Sequence, residues 1–162
     1  MKRIVTLIIA SCILCGQVSA MTKTTTQNDR LDSEYINDRV SEIYNSLNET
    51  KNPEAKFTSE QFYKLWQTMQ AKDASLNEVG FVSSNHWYQA QDFEKPHYEF
   101  GTAEKISGTT AIVSLTINDL GSSRKLILLM VYERGNWYVD DFITEEGQLF
   151  RSEKAALKRY LQ

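Results

Sequence analysis

The first hydrophobic pattern along the chain begins after Asp32 and has the spacing of a helix. Apolar residues recur three or four positions apart, which places them on one helical face about three turns long. The residues of this face are Ile36, Val40, Ile43, Tyr44 and Leu47. The stretch KNPEAK (51–56) predicts the end of the helix, because Pro53 cannot continue it and restricts the residue before it.

A second helix is predicted to begin at Thr58, a favourable N-cap residue. Gln61 completes a capping box three residues later, and Phe57 and Phe62 flank the start as a hydrophobic staple. The apolar positions that follow have helical spacing and predict one buried stripe. They are Phe62, Leu65, Trp66 and Met69.

From His97 onwards the pattern changes from helices to strands. HYEFGTAEKI (97–106) alternates weakly, TTAIVSLTI (109–117) is rich in β-branched residues, and RKLILLMVYE (124–133) is apolar on both faces. RGNWYVDDFI (134–143) predicts a fourth strand, and residues 152–161 a short final helix with Leu157, Tyr160 and Leu161 inward. This order predicts an α+β fold, with N-terminal helices packed on an antiparallel sheet of about four strands.

The last hairpin assigns the adjacent aspartates of GNWYVDDF to opposite faces of the sheet. With residues 135–136 as a type II′ loop, Tyr132 is expected to face Val139, and Met130 to face Asp141. Asp141 then lies on the more apolar face, which also carries Trp137. Asp140 is expected nearer to solvent.

Two roles for Asp141 follow from that position. A carboxylate on a mostly apolar face must be hydrogen-bonded or paired, or else take up a proton. Asp141 is therefore interpreted first as a structural acceptor of bonds from backbone N–H groups or from a tyrosine or tryptophan. The alternative is a pocket acid or ligand anchor, because a raised carboxyl pKa is also typical of functional sites.

The N-terminus predicts a secretory signal peptide over residues 1–20. A basic pair precedes an apolar core, and small residues ending at Ala20 form a cleavage site, so a periplasmic or secreted protein is expected. A lipoprotein modified at Cys12 is the alternative. Cleavage after Ala20 would remove Cys12 and Cys15, the only cysteines, and with them any disulfide or thiol nucleophile.

The exported chain is acidic and divides into two parts. Residues 21–29 are polar and aperiodic, which is typical of a disordered tether, and residues 30–162 are expected to form one domain. Loss of the leader lowers the formal charge from −3 to −5. This unclustered balance argues against nucleic acid and anionic membrane as partners. The strand LILLMVY (126–132) is apolar on both faces. Either helices cover one face and loops or a second subunit cover the other, or the strand is an aggregation hazard, and a homodimer through the sheet is one expectation.

The histidines do not predict a metal site. His86 and His97 match no compact metal-binding spacing, and neither a metal nor a cofactor is predicted. His97 is expected at the surface, whereas His86, beside Trp87 and Tyr88, is placed at a pocket rim. The sequence contains no Gly-x-Ser-x-Gly elbow and no glycine-rich phosphate loop.

Two amphipathic helices, then a sheet ending in W-x-V-D-D and a short helix, resemble the nuclear transport factor 2-like superfamily, a cystatin-like fold. WYQAQDF (87–93) and GNWYVDDF (135–142) resemble a bacterial secreted family within it, catalogued as domain of unknown function 3828. The resemblance covers about residues 30–161. It implies a cone with helices on the concave face of a curved sheet, and a pocket between them. The candidate ligand-binding residues are Asp141, Gln91, Asp92, His86, Trp87 and Tyr132.

The residues favour a non-enzymatic module, because no nucleophile, metal cluster or acid–base pair stands at a recognisable spacing. Such a module would bind a small ligand or a protein through the mouth of the cone. The first alternative is a small lyase or isomerase with Asp141 as general base, and His86 or a tyrosine polarising the substrate. The second is an inhibitor or immunity-type protein against a secreted effector. A pocket open to Asp141 favours a ligand binder or enzyme, and a filled interior favours protein binding.

Overall fold

A computed structural model describes residues 29–76, 80–81, 85–94, 96–146 and 149–162, without the side chains of Asp29 and Glu146. The predicted leader (1–20) and residues 21–28 of the predicted tether lie outside the described residues. The last tether residue, Asp29, begins a 3-10 turn, Asp29–Leu31. Helices come first, then strands, then a final helix, which confirms the predicted α+β class.

Helix α1, Ser33–Ser46, carries the first predicted apolar face. Asp32 caps it, because its side chain accepts a hydrogen bond from the Tyr35 N–H at 2.7 Å. All five predicted apolar positions are buried, as expected. After a 3-10 turn, Leu47–Glu49, the proline opens a short helix, α2 (Pro53–Phe57), that the sequence analysis did not predict. Proline suits a first helical position, where its missing N–H costs nothing.

Helix α3, Glu60–Leu76, begins later than predicted. Thr58 ends α2 instead, since its hydroxyl donates to the Glu54 carbonyl at 2.6 Å. Ser59 caps α3, because its Oγ accepts the Phe62 N–H at 3.0 Å. The predicted capping box at Thr58 is therefore wrong, because the unpredicted α2 occupies that residue. In the predicted stripe, Phe62 and Met69 are buried, and Leu65 and Trp66 pack partly buried against the core.

The strands form an open, curved antiparallel sheet in the order β1-β3-β4-β5-β6, with β2 also paired to β3. Six strands replace the four predicted, because the first predicted strand is divided in two and a short strand follows β5. Helix α4, Glu153–Tyr160, ends the fold as predicted. The strands are β1 His97–Phe100, β2 Glu104–Lys105, β3 Thr110–Asp119, β4 Ser122–Glu133, β5 Asn136–Glu146 and β6 Leu149–Ser152.

The inner face of the sheet forms the core together with the helices. Its side chains alternate along each strand with those of the other face, and they are almost fully buried. Two tryptophans, Trp87 and Trp137, are among the largest buried side chains. The inner-face residues are Ala111, Val113, Leu115 and Ile117 of β3, Leu126, Leu128 and Met130 of β4, and Trp137, Val139 and Phe142 of β5.

The outer face of the sheet is also apolar but only half-buried. Ile112 pairs with Leu129, and Ile127 pairs with Ile143, so these side chains form one patch across β3, β4 and β5. The patch lies outside the buried core cluster. The prediction that this strand is apolar on both faces is therefore confirmed.

The β4–β5 turn differs from the predicted loop by one residue. Glu133 pairs with Asn136, so the loop is Arg134 and Gly135. Both have positive φ angles, 50° and 77°, as a type I′ turn requires. The predicted type II′ loop at residues 135–136 is therefore wrong.

A β-bulge changes the register beyond that turn. Met130 pairs with Val139, but Leu129 pairs with Asp141, which leaves Asp140 as the extra residue. Side chains after the bulge exchange faces, so Phe142 joins the inner face and Asp141 the outer one. The predicted placement of Asp141 on the Trp137 face is wrong for this reason.

The edge of β5 before its pairing with β6 contacts the helical layer. The Ser59 N–H donates to the Val139 carbonyl at 2.8 Å, and Arg39 Nε donates to the Trp137 carbonyl at 3.3 Å. Backbone acceptors at this edge are thus bonded to α1 and to the start of α3.

Candidate functional site

The first turn of α4 lies against the two aspartates of β5. Ser152 is the N-cap, accepting the Ala155 N–H at 2.9 Å, and it donates its hydroxyl to Asp141 Oδ2 at 2.5 Å. Asp141 Oδ1 accepts the Lys154 N–H at 2.8 Å. Both carboxylate oxygens of Asp141 are therefore occupied by hydrogen bonds that hold the start of α4.

Burial raises the pKa of Asp141 above its ordinary value, and the bonds from Ser152 and Lys154 oppose that rise. The residue is 5% exposed. A raised pKa suits a general base, but a substrate would have to displace bonds that anchor a helix. The geometry is that of a structural acceptor.

Asp140 is nearer to solvent than Asp141, as predicted, but its carboxylate is paired and not free. Both its oxygens lie 2.7 Å from Lys154 Nζ, and Ser59 donates its hydroxyl to Asp140 Oδ1 at 2.6 Å. Lys154 Nζ also donates to Gln61 Oε1 at 2.6 Å. Because Lys154 is only 8% exposed, this ion pair is largely removed from water. It connects β5, α3 and α4, and the bulge is what brings Asp140 to this position.

His86 lies between two glutamates inside the fold. Its Nε2 is 3.2 Å from Glu54 Oε1 of α2, and its Nδ1 is 3.2 Å from Glu153 Oε1 of α4. Neither contact has the direction of a good hydrogen bond, so the interaction is mainly one of charge. Only 3% of His86 is exposed, so the prediction of His86 at a pocket rim is wrong.

Aromatic rings enclose the rest of the His86 side chain. The centroids of Trp66 and Phe142 lie 4.8 Å and 4.5 Å from that of the imidazole, and Phe62 lies at 5.8 Å. Burial alone would lower the pKa of His86, but the carboxylates of Glu153 and Glu54 outweigh burial and raise it. Burial would likewise raise the pKa of Glu54, but its contact with His86 lowers it overall.

The other predicted site residues are spread over the molecule. Trp87 is buried beside His86 and donates its indole N–H to Glu54 Oε1 at 3.0 Å. Tyr132 is half-buried on the inner face, with its ring 5.5 Å from that of Trp137. Gln91 and Asp92 are exposed. His86 and Trp87 both contact Phe142 on the inner face of β5, whereas the adjacent Asp141 lies on the outer face and Tyr132 lies by the turn at the other end.

The sequence analysis missed the partners of these residues. Glu54 and Glu153 both lie in the first turn of a helix, where acidic residues are common, so their role beside His86 left no separate signal. Lys154 lies in the first turn of α4. An N-cap assigned to Ser152 would have placed it there from the sequence alone.

Two absences apply to the described part of the chain. No group of three or more His, Cys, Asp or Glu residues is arranged to hold a metal ion there. His86 separates its two glutamates, so they cannot share one ion with it. None of the helices within the same described ranges has the length and apolar character to cross a membrane.

The outer face of the sheet contains a groove of about 290 Å³. Ile127 and Ile143 form part of its lining, and Lys125 and Glu145 supply one charge of each sign. Phe150 of β6 borders it with 64% of its surface exposed. An exposed ring beside an apolar groove is unusual on a fully solvated surface.

These observations define an α+β domain whose helices cover one face of an open antiparallel sheet. Comparison of the chain with protein-family models, curated proteins and solved structures finds no match. The resemblance to the nuclear transport factor 2-like superfamily remains a prediction.

Proposed function

We propose that this chain is a non-enzymatic module that binds a protein through the outer face of its sheet. The observation that carries the proposal is the apolar patch formed by Ile112, Ile127, Leu129 and Ile143, which lies outside the core and ends at exposed Phe150. Aliphatic side chains with an aromatic anchor are typical of the centre of a protein interface.

The interior offers less support for a ligand or substrate site. Asp141 is bonded to Ser152 and to the Lys154 N–H, and His86 is enclosed by glutamates and rings. The proposed general base and its proposed electrophile are thus both engaged in holding α4. This arrangement supports protein binding over the lyase or isomerase alternative, and moves the proposed surface from the cone mouth to the sheet.

A second copy of the chain is the partner that the groove supports best. Lys125 and Glu145 line the same groove, so a two-fold axis through it can bring each lysine near the glutamate of the other copy. A strongly charged partner would instead favour a groove of one sign. Export to the periplasm or medium is part of the same proposal, and rests on the leader sequence alone.

Sedimentation velocity over a range of concentrations tests the proposal. We expect a dimer in the wild-type protein and a monomer in Ile127→Asp, because the new charge would be buried at the interface. Gln67→Asp places the same charge on the exposed surface of α3 and should leave the dimer intact. A wild-type protein that stays monomeric at high concentration would contradict the second copy as partner, and an equal loss in both variants would contradict the outer face.

A further inference from the structure

Residues 85–90, here the His86 loop, form a compact turn that points two large side chains inward. The Asn85 N–H donates to the Ala90 carbonyl at 3.0 Å, and the Gln89 N–H donates to the Asn85 carbonyl at 2.7 Å. His86 and Trp87 extend from this turn into the core and are almost fully buried. The burial of these two side chains attaches the loop to the core.

Charge state decides how well His86 fits between its neighbours. A neutral imidazole has one N–H and one lone pair, so one ring nitrogen would present its lone pair to a carboxylate. Glu54 and Glu153 face different nitrogens, each at 3.2 Å. Only the doubly protonated imidazolium carries a positive charge that attracts both carboxylates and presents a lone pair to neither.

The other neighbours of His86 among the described residues are aromatic rings, which carry no charge. From α3 it meets the rings of Phe62 and Trp66, from β5 that of Phe142, and within its own loop Trp87. The ammonium of Lys154, the residue after Glu153, is bonded to Asp140 and Gln61. The two glutamates of α2 and α4 are therefore the charged groups that act on the imidazole.

We propose that this arrangement makes the docking of the His86 loop depend on pH, with the loop held by the imidazolium at mildly acidic pH and loosened when the imidazole loses its proton. Two hydrogen bonds of the loop do not titrate in this pH range and remain at higher pH. Trp87 donates its indole N–H to Glu54, and the Tyr88 hydroxyl donates to Asn48. The response is thus a weakening of the attachment rather than its complete loss.

The direction and range of the response follow from the two pKa shifts. The pKa of His86 is raised in the fold, so its stabilisation is fully present below the ordinary value of 6.5 and is lost as pH rises through the raised value. The pKa of Glu54 is lowered, so its stabilisation is present above the ordinary value of 4.5 and is lost as pH falls through the lowered value. The loop is held most firmly between those two ordinary values.

Amide hydrogen exchange of the wild-type protein between pH 5.5 and 8.5 measures the effect. The reporters are the Asn85 and Gln89 amides, with rates divided by those of an unfolded peptide at each pH. Above pH 6.5 we expect loop opening to increase about tenfold per pH unit until the raised pKa is passed. His86→Gln should remove this slope, and His97→Gln, which changes the exposed second histidine, should keep it.

Two further measurements keep the proposal decidable if His86→Gln does not fold. Glu153→Gln removes one carboxylate and should narrow the pH range of the slope. An NMR titration of the wild-type protein should show the His86 ring losing its proton above pH 6.5. Exchange that does not change with pH, a slope that survives in His86→Gln, or a His86 ring that titrates below 6.5 would each overturn the proposal.

Discussion

The two faces of strand β4 are similar in sequence but differ in what they do. Leu126, Leu128 and Met130 are almost fully buried under the helices, whereas the alternating Ile127 and Leu129 remain half-exposed on the other side. The hydrophobic pattern alone therefore shows that both faces favour burial. It does not show which face the chain covers with its own helices. The inner face holds the fold together, and the outer face is the surface that we propose a partner covers.

Truncation of the largest inner-face residue should have the largest effect. Trp137→Ala is expected to lower the free energy of unfolding by about 3–5 kcal/mol, because it leaves a cavity in the core. It also removes the 2.6 Å hydrogen bond from the indole N–H to the Arg30 carbonyl. Urea denaturation measures the loss. A value under about 1 kcal/mol would mean that the inner face does not hold the fold.

Asp140→Ala should come next, at about 2–3 kcal/mol, because it leaves the largely buried Lys154 ammonium without its carboxylate. We expect a smaller loss of stability than for a fully buried ion pair, because 18% of the Asp140 side chain is exposed. Adding Lys154→Met to Asp140→Ala should recover about half of the loss. If the double variant is no more stable than Asp140→Ala, the unpaired charge is not the cause.

Ser59→Ala should cost about 1–2 kcal/mol, because it removes the cap of α3 and a bond to Asp140. Thr58→Ala is the matched control, with an expected loss of about 0.5–1 kcal/mol from its single bond to the Glu54 carbonyl. Thermal and urea unfolding of both variants would show the order. A larger loss for Thr58→Ala would return the start of α3 to the position first predicted.

The smallest effect on the monomer should come from the outer face. Ile127→Thr keeps a β-branched side chain on a half-exposed position and should change the stability of the monomer by about 0.5 kcal/mol. Leu128→Thr, one residue away, should cost about 3 kcal/mol because it places a hydroxyl in the core. The free energy of unfolding of both variants, measured at concentrations where the protein is monomeric, distinguishes the two faces. Equal losses of stability in the two variants would contradict the distinction.

The three longer helices and the fold class could be predicted because their signals are local, whereas the short α2 could not. The five apolar positions of the first predicted helix have helical spacing, and all five are buried. The pairing of β4 with β5 beyond their turn could not be predicted. A bulge inserts one unpaired residue into β5 and exchanges the faces of the β5 side chains that follow it. Asp141 is buried as expected, but on the other face.

The candidate site was harder to predict because its contacts join distant parts of the chain. His86 meets Glu54 and Glu153 only after α2, α4 and the loop have packed together. The Lys154 pairing with Asp140 depends on the bulge and on the N-cap of α4. No spacing rule connects such residues before the fold is known.

The bonds along the edge of β5 have a consequence for solubility. A strand edge with free carbonyls and N–H groups can add a strand from another molecule, which is a common start of aggregation. At Val139 and Trp137 the carbonyls already accept hydrogen bonds from the Ser59 backbone and the Arg39 side chain. A foreign strand would have to displace both donors to pair there. The helical layer therefore also protects this sheet edge against uncontrolled edge-to-edge polymerisation.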